Sequence, residues 1–403
     1  MGNPAITLPS YDVLDAGDPL ERLLRISADT TLSWLPELGG YLVTGYEDVL
    51  SAMKHPGMRS AVATRVFARL PEADQEALRR LRLSIDMWMG HATEEGHHRF
   101  QKLLKRYFTP AIINGLRPRV RELTGELLDA VAADGRMDVV PDLAFPLPAN
   151  VIADMLGMPT SDRDRLREWS RHIMAVFQHA DVEKLMASQD SVLEMQDYLR
   201  EIVADRRVSP RDDLISMFAA AEREGVVNED EIVANCVLLL FAGHETTATL
   251  ISRGLQLLMA NPDQLELLVS RPELNRSAIE EMMRHGGPAT SVIRETIEPV
   301  TIAGHDIPAG EHIYLAIHTA NHDPTVFADP MRFDITRKNN RHLGFGMGSY
   351  YCLGAALARV ESDECFRLLL SRYPNIRPAT DQAPVDVPLP PFGRRLDSLP
   401  VEF

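Results

Sequence analysis

The chain is poor in cysteine and lacks a long apolar segment. Its 403 residues contain three cysteines, Cys236, Cys352 and Cys365, too few for the disulfide framework of many small secreted proteins. The longest apolar run, residues 237–243, is far shorter than the roughly 20 residues that cross a bilayer. The first residues show no signal-peptide pattern. We therefore expect a cytoplasmic protein with reduced thiols and no membrane partner.

Positive charge is also scarce, since the 42 Lys and Arg residues are outnumbered by 58 Asp and Glu residues. The net charge is −16. This balance argues against nucleic acid as the main partner. No glycine-rich dinucleotide loop stands between a strand and a helix, so the chain has no flavin or nicotinamide site of its own. Repeats and low-complexity tracts are missing too. The hydrophobic content of 45% supports a large core, and the even composition predicts a single domain over residues 1–403.

Hydrophobic periodicity predicts a mainly α protein with a small β-rich part. The N-terminal segment is typical of strands and turns, and residues 47–54 are helical in pattern. The longest predicted helix covers 228–260, because Asn228 suits an N-cap and Asn261-Pro262 suits a stop. Further helices are predicted at about 72–84, 98–107, 115–134, 161–178 and 183–206. Strands are predicted at 40–46, within 300–317, and near 385–387 and 398–403.

One short segment carries most of the chemical information. Residues 345–354, FGMGSYYCLG, place Cys352 at the end of a glycine-broken loop, just before a helical stretch. A thiol at a helix N-terminus meets unpaired N–H groups and the positive end of the helix dipole. Both favour the thiolate, which is the form that binds metal. Phe345 can cover a flat ligand and keep water from the sulfur. The alternative is a buried cysteine at a helix start.

This segment resembles the haem-binding loop of the cytochrome P450 family, whose pattern is Phe-Gly-x-Gly-x-His/Arg-x-Cys-x-Gly. The resemblance extends from about Tyr41 to residues 399–401. It implies the cytochrome P450 fold, with a long central helix crossing the domain beside the haem. It also implies haem b as the cofactor, Cys352 as the ligand of its iron, and Phe345 and Gly354 as cofactor-binding residues.

The long helix carries residues 242–247, AGHETT, which resemble the family's oxygen-activation motif. The resemblance implies that Ala242 lies beside the cofactor, that the Thr246 hydroxyl takes part in oxygen activation, and that Glu245 helps to deliver protons. A buried helix rich in hydroxyl side chains is the alternative. A zinc protease is excluded, because Ala248 stands where HExxH requires its second histidine.

Two further patterns resemble family features. Glu281 and Arg284 are spaced to pair on one helix face, either as a weak surface ion pair or as the family's structural Glu-x-x-Arg pair, with Arg332 as third partner. Arg294 and His97 stand where the family contacts a haem propionate. For His97, the alternative is a metal site formed by His91, Glu94, Glu95, His97 and His98.

The chain departs from the family pattern at two positions that usually hold propionates. Gln101 replaces an arginine, and Tyr350 replaces a histidine or arginine. A tyrosine hydroxyl can still donate to a carboxylate. We therefore expect the protein to retain haem, with Tyr350 among the cofactor-binding residues and with less positive charge near the propionates.

The resemblance implies a monooxygenase that takes two electrons from a separate ferredoxin or flavodoxin-type donor, binds dioxygen, and hydroxylates or epoxidises a small organic substrate as a monomer. Aryl coupling or desaturation on the same fold, and a haem-binding recruitment or sensor protein without turnover, remain alternatives. A basic docking patch for the electron donor is predicted on residues from two segments: Lys102, Lys105, Arg106, Arg337, Lys338 and Arg341.

The substrate is only weakly indicated. The family's variable segments correspond to about 60–92, 168–183, 238–246, 288–293 and 390–396. The small residues 289–291 suggest a roomy pocket, and family habit suggests a polyketide, an aromatic acid or a similar natural product. Arginines in and near the first segment could meet a substrate carboxylate or a carrier-protein phosphopantetheine, or they are simply solvated: Arg59, Arg65, Arg69, Arg79, Arg80 and Arg82.

Overall fold

Helices make up most of the folded chain. The computed structural model describes residues 8–11, 18–61, 66–91, 93–159, 163–177, 180–389 and 391–403. The helices are α1 (Pro19–Asp29), α2 (Tyr46–Lys54), α3 (Glu72–Ala77), α4 (Arg79–Asp86), α5 (Glu94–Leu104), α6 (Pro110–Gly115), α7 (Arg117–Val131), α8 (Pro146–Leu156), α9 (Arg163–Ile173), α10 (Val182–Val208), α11 (Leu214–Arg223), α12 (Glu229–Ala260), α13 (Pro262–Ser270), α14 (Asn275–Gly286), α15 (Ile317–Ala320) and α16 (Ala355–Arg372).

The strands are short. They are β1 (Leu32–Leu35), β2 (Gly40–Val43), β3 (Met58–Ser60), β4 (Arg136–Asp138), β5 (Val292–Thr296), β6 (Val300–Ile302), β7 (His305–Ile307), β8 (His312–Leu315), β9 (Arg377–Pro378), β10 (Val385–Leu389), β11 (Gly393–Ser398) and β12 (Pro400–Glu402). The predicted mainly α fold with a small β-rich part is confirmed.

The backbone contacts divide the chain into two compact units. The first unit comprises residues 1–61, 124–144 and 246–403, and the second comprises 62–123 and 145–245. Every strand that the structure describes lies in the first unit, and the second unit is helical. The single domain over 1–403 stays a prediction.

A five-stranded sheet in the first unit has the order β1-β2-β8-β5-β3. Strand β2 runs parallel to β8, and the other pairs are antiparallel. Both faces are covered: Tyr41 and Ile313 belong to one apolar cluster, while their neighbours Leu42 and Tyr314 belong to another. Because successive side chains point to opposite faces, residues 41–43 of β2 and 313–315 of β8 are apolar at consecutive rather than alternate positions.

Helix α12 is the longest element, with 32 residues, or about 48 Å at 1.5 Å per residue. It begins where the sequence predicted, because Asn228 and Glu231 form a reciprocal capping box: Glu231 N–H donates to Asn228 Oδ1, and Asn228 N–H donates to Glu231 Oε2, both at 2.9 Å. In the part of the chain that the structure describes, α12 alone has the length and composition to cross a membrane, and 67% of its most apolar stretch is buried inside the protein.

Other predicted elements differ in detail. The segment 72–84 forms two helices, which meet at Leu78, and the segment 161–178 ends in a short 3-10 turn, Met174–Phe177. Helix α1 is missed by the prediction of strands and turns at the N-terminus. Its signal is present in the sequence, because Asp18 accepts a hydrogen bond from Leu20 N–H at 2.8 Å and Pro19 occupies the first helical position.

Candidate functional site

The loop before α16 is held in one shape by its own backbone. Cys352 N–H donates to Phe345 O at 2.9 Å, which closes the loop at its two ends. Gly346 and Gly348 have φ values of +67° and +74°, a region that side chains with a Cβ rarely adopt. A Cβ on Gly348 would also lie 2.9 Å from Met53 O. The predicted glycine-broken loop is therefore a tight structure that fixes the position of the cysteine.

Cys352 lies at the N-terminus of α16, as expected. Backbone N–H groups of Gly354 and Ala355 and the charge of Arg359 act to lower the pKa of its thiol, but desolvation by the surrounding protein is larger and raises that pKa. The groups expected to favour the thiolate are thus present, but desolvation by the protein outweighs them. A bound iron would reverse the balance, because a coordinating thiol loses its proton. Cys352 is solvent-accessible as a residue, unlike the buried Cys236 and Cys365, and so can be reached by a ligand.

Phe345 is fixed by a chain of charged contacts. The Arg359 guanidinium lies 4.2 Å from the centre of its ring. Glu280 in turn accepts hydrogen bonds from Arg359 Nε at 2.6 Å and Nη2 at 2.8 Å, and it contacts His342 Nε2 at 3.0 Å. Burial opposes ionisation of Glu280, but these two partners prevail and lower its pKa to about 2. The Phe345 ring is therefore held in place at the start of the cysteine loop.

Arg294, on strand β5, is a buried cation. Its side chain is 6% exposed, and no acidic group among the described residues forms an ion pair with it. Nη1–H donates to Ile293 O at 3.2 Å, and the guanidinium lies 4.6 Å from the centre of the Tyr350 ring. Burial lowers the pKa of Arg294 to about 10. A ligand carboxylate would supply the missing negative charge, so this position fits a carboxylate-bearing cofactor such as haem.

Helix α12 exposes only part of residues 242–247. Ala242 and Thr246 are exposed, while His244, Glu245 and Thr247 are buried. Ala242 and Thr246 are four residues apart, so they share one face of the helix. The small size of Gly243 serves packing, because a Cβ there would lie 3.0 Å from Ile152 Cγ1. Of the two small residues, Ala242 rather than Gly243 is therefore open to a ligand.

His97 is 4% exposed and lies on α5 in the second unit. Its Nδ1 is 2.8 Å from Met89 O, and a carbonyl can only accept, so Nδ1 carries a proton. In the part of the chain that the structure describes, no three His, Cys, Asp or Glu side chains converge on a metal site. The structure thus gives no support to a metal centre at residues 91–98.

Glu281 and Arg284 form a fully buried pair rather than a surface one. Arg284 donates to both carboxyl oxygens of Glu281 at 2.8 Å, and their side chains are 0% exposed. The predicted third partner, Arg332, is wrong: it contributes only its carbonyl, which accepts from Arg284 at 3.1 Å. The third cation is Arg337, whose Nε lies 3.1 Å from Glu281 Oε2. Side-chain pairing over 56 residues cannot be read from local spacing.

The contact between Arg337 and Glu281 also corrects the predicted docking patch. Arg337 is held by Glu281 and by the carbonyls of Ala328 and Arg332, and its side chain is 11% exposed. It is therefore a structural residue and not a free surface cation. Lys338 and Arg341 remain exposed.

Glu361, on α16, is a residue that the sequence analysis missed. It is 0% exposed, and neither carboxyl oxygen has a hydrogen-bond partner of ordinary geometry among the described residues. Burial raises the pKa of Glu361 to about 8, although the nearby Thr247 hydroxyl opposes this rise. The signal was its spacing, since Leu357, Glu361 and Cys365 follow one another at four-residue intervals on the buried face of the helix.

Comparisons of sequence and of structure with known proteins indicate one protein family. The sequence profile of the family described as Cytochrome P450 matches residues 86–270 and 268–391. Cytochrome P450 107B1 of Saccharopolyspora erythraea is 37% identical over 389 residues, which cover 95% of this chain and 92% of that protein. The 6-deoxyerythronolide B hydroxylase of the same organism is 33% identical over 376 residues, covering 90% of each.

A solved structure supports the fold. P450BioI, in complex with an acyl carrier protein ligated to hexadec-9Z-enoic acid, matches with a TM-score of 0.88 at 32% identity and covers 96% of this chain and 98% of its own. The expected fold, enzyme class and haem b cofactor are confirmed by these relationships. The chain belongs to the cytochrome P450 family of haem-thiolate monooxygenases.

Proposed function

We propose that this protein hydroxylates or epoxidises a small organic substrate, using dioxygen and two electrons from a separate ferredoxin or flavodoxin-type donor. The observation that carries this proposal is the placement of Cys352 on a rigid loop at the start of α16, with two backbone N–H groups directed at its sulfur. When bound, haem supplies the iron that activates dioxygen. The chain supplies binding, orientation and protons.

The residues that hold haem follow from the family resemblance and from the local geometry. Cys352 is the iron ligand. Phe345 shields the sulfur, and Gly354 leaves space beside it, because a Cβ there would lie 3.9 Å from the Cys352 sulfur. Ala242 offers a helix face without bulk. The cofactor's carboxylates are assigned to Arg294 and His97, with Tyr350 next to Arg294.

Thr246 and Glu245 are assigned to proton delivery. The Thr246 hydroxyl lies on the exposed face of α12, where it can position a proton donor beside the reacting oxygen. Glu245 is 8% exposed, so its carboxylate can relay protons between the interior and that hydroxyl. The exposed hydroxyl and the buried acid, adjacent in sequence, support this division of roles.

An electron donor is proposed to dock on α5. Lys102 and Arg106 line a surface groove of about 460 Å³, together with Arg99, His98 and two acidic residues, Glu95 and Glu224. Lys105 directly follows α5 and donates to Gln101 Oε1 at 3.0 Å. This local basic surface contrasts with the net charge of −16 and would attract an acidic protein. Gln101, one of the two departures from the family pattern, thus has a polar partner four residues further along the chain.

The substrate is proposed to be a natural-product intermediate, either free or bound to a carrier protein. One relative is named a 6-deoxyerythronolide B hydroxylase, and P450BioI was solved with a fatty acid on an acyl carrier protein. The arginines near residues 59–82 give mixed support: Arg59 pairs with Glu295, and Arg69 donates to Ala180 O. Arg79, Arg80 and Arg82 are exposed, and Arg65 lies outside the described residues. We also propose a cytoplasmic monomer.

The reduced protein with carbon monoxide tests the haem-thiolate assignment. We expect a Soret band at about 450 nm in the wild type and its loss in Cys352→Ser. The matched control is Cys365→Ser, because Cys365 is buried in the same helix that follows the loop. A stable band near 420 nm in the fresh wild-type protein would contradict the proposal and favour the sensor alternative.

Labelled dioxygen separates the reaction classes. A hydroxylated or epoxidised product carries one oxygen-18 atom, whereas products of aryl coupling or desaturation carry none. Substrates are first screened by the spin-state shift of the haem. Failure of every product to take up label would overturn the proposed reaction while leaving the cofactor assignment intact.

A further inference from the structure

Strand β5 fixes the backbone of Arg294 but not its side chain. The strand lies between β8 and β3, and Arg294 is opposite Ile313 on one side and Ser60 on the other. The side chain then extends over four rotatable bonds before it reaches the guanidinium. A second anchor is needed at the far end if the N–H donors are to point in one direction.

The Tyr350 ring provides a surface at that far end. The guanidinium carbon lies 4.6 Å from the ring centre, well within the range of a cation–π contact. The only described hydrogen bond of the Arg294 side chain uses one Nη1–H, which donates to Ile293 O. The ring face and this carbonyl therefore place the guanidinium, and its remaining donors are left for an anion.

Tyr350 is itself held by the cysteine loop. It ends the single helical turn Gly348–Tyr350, two residues before Cys352. The positions of Gly348 and of the Cys352 N–H are fixed by the contacts described above. The ring thus links two parts of the first unit, the loop that carries the sulfur and the strand that carries the buried cation.

We propose that Tyr350 is a positioning residue whose aromatic face, rather than its hydroxyl, holds the Arg294 guanidinium ready for a carboxylate of the haem. The aromatic ring then compensates in part for the cations that are missing at positions 101 and 350. This inference rests on the proposed function, because it takes haem as the source of the anion. It replaces the sequence-based expectation that the Tyr350 hydroxyl donates to the carboxylate.

The test compares the rates at which haem leaves the ferric protein for an excess of a haem-scavenging protein. Tyr350→Phe keeps the ring and should lose haem at the wild-type rate, within about twofold. Tyr350→Leu removes the ring and should lose haem about five- to tenfold faster, the scale of a partly desolvated cation–π contact. In an Arg294→Gln background, Tyr350→Leu should have no further effect, since the partner is gone.

Each outcome bears on the proposal. Faster loss from Tyr350→Phe would assign the role to the hydroxyl, and an unchanged rate in Tyr350→Leu would remove the role of the ring; either result overturns the inference. Additive effects of Tyr350→Leu and Arg294→Gln would do the same. If Tyr350→Leu does not fold, Tyr350→Met replaces it. A wild type without the band at about 450 nm would instead contradict the proposed function itself.

Discussion

Thr246 and Ser252 carry hydroxyls on the same helix in different surroundings. Ser252 is 2% exposed and donates to Ala248 O at 2.8 Å, within its own helix. Thr246 lies on the exposed face. We propose that the exposed Thr246, rather than the buried Ser252, handles protons during oxygen activation.

Thr246→Ala should uncouple electron transfer from product formation. We expect the product formed per electron pair to fall about tenfold or more, with hydrogen peroxide released instead, because a positioned proton donor is lost. The measurement compares donor consumed, product and peroxide. Ser252→Ala is the control and should remain coupled; equal coupling in Thr246→Ala and the wild type would exclude the assigned role.

Glu361 should make stability depend on pH. Its pKa is about 8 in the fold against 4.5 for an ordinary glutamate, so the folded state keeps a proton that the unfolded state releases. The free energy of unfolding therefore falls as the pH rises from about 4.5 to about 8, by up to roughly 1.4 kcal/mol per pH unit. Glu361→Gln should remove this contribution and be the more stable protein at pH 8.

Urea unfolding of both proteins at pH 5, 6, 7 and 8 measures that difference. Because all other titrating groups are shared, they cancel in the comparison of the two proteins. A constant difference in the free energy of unfolding across this range would show that Glu361 is ionised in the fold.

Individual elements were predicted well where their signals are local. The limits of α12 follow from the capping box at Asn228 and from the stop at Asn261-Pro262, and both signals lie within a few residues. The loop around Cys352 was predicted for the same reason, since its glycines and its aromatic residue are contiguous. Thr93, which caps α5 by accepting from Gly96 N–H at 3.2 Å, was overlooked, so that helix begins earlier than predicted.

Contacts between distant elements were predicted poorly. The choice of Arg337 over Arg332 as partner of Glu281 depends on the path of the whole 321–340 segment. The contact of Tyr350 with Arg294 likewise depends on how a loop meets a strand 56 residues earlier in the sequence. The resemblance supplied the candidate site residues but not these pairings, because a motif specifies residue types and not the directions of side chains.

The Glu281 cluster should dominate the stability of the segment before the cysteine loop. Glu281→Gln keeps the shape but leaves the buried Arg284 without its counter-charge, so we expect a loss of about 3–5 kcal/mol in the free energy of unfolding. Asp197→Asn is the control: it breaks an exposed pair with Arg200 and should cost less than about 1 kcal/mol. Circular dichroism in urea gives both values, and similar losses would contradict the structural role.

The charge of the whole molecule bears on its encounter with the electron donor. With a net charge of −16, the protein repels an acidic partner except where basic residues cluster. Such local attraction weakens with salt, since the Debye length falls from about 10 Å at 0.1 M to about 3 Å at 1 M. Donor binding should therefore be fast at low ionic strength and slow at high ionic strength.

Changing Lys102, Lys105 and Arg106 together to Glu should slow ferredoxin-supported turnover about tenfold or more and flatten its salt dependence. The control changes Arg79, Arg80 and Arg82 on α4 to Glu, which alters the net charge equally at another exposed place. Stopped-flow reduction of the haem gives the rates. If both triple variants slowed the reduction equally, the change in net charge alone would explain the effect, and a docking patch on α5 would be excluded.

The contact between the cysteine loop and α2 has a consequence for the synthesis of the chain on the ribosome. The loop rests on α2, where Gly348 packs against Met53 O, and the Tyr46 hydroxyl donates to Arg341 O at 2.7 Å across 295 positions. At about 5–20 residues per second, the ribosome needs roughly 15–60 s to make the chain between them. The α2 side of this contact is therefore made long before its partner, and haem can be bound through Cys352 only after the loop has been synthesised.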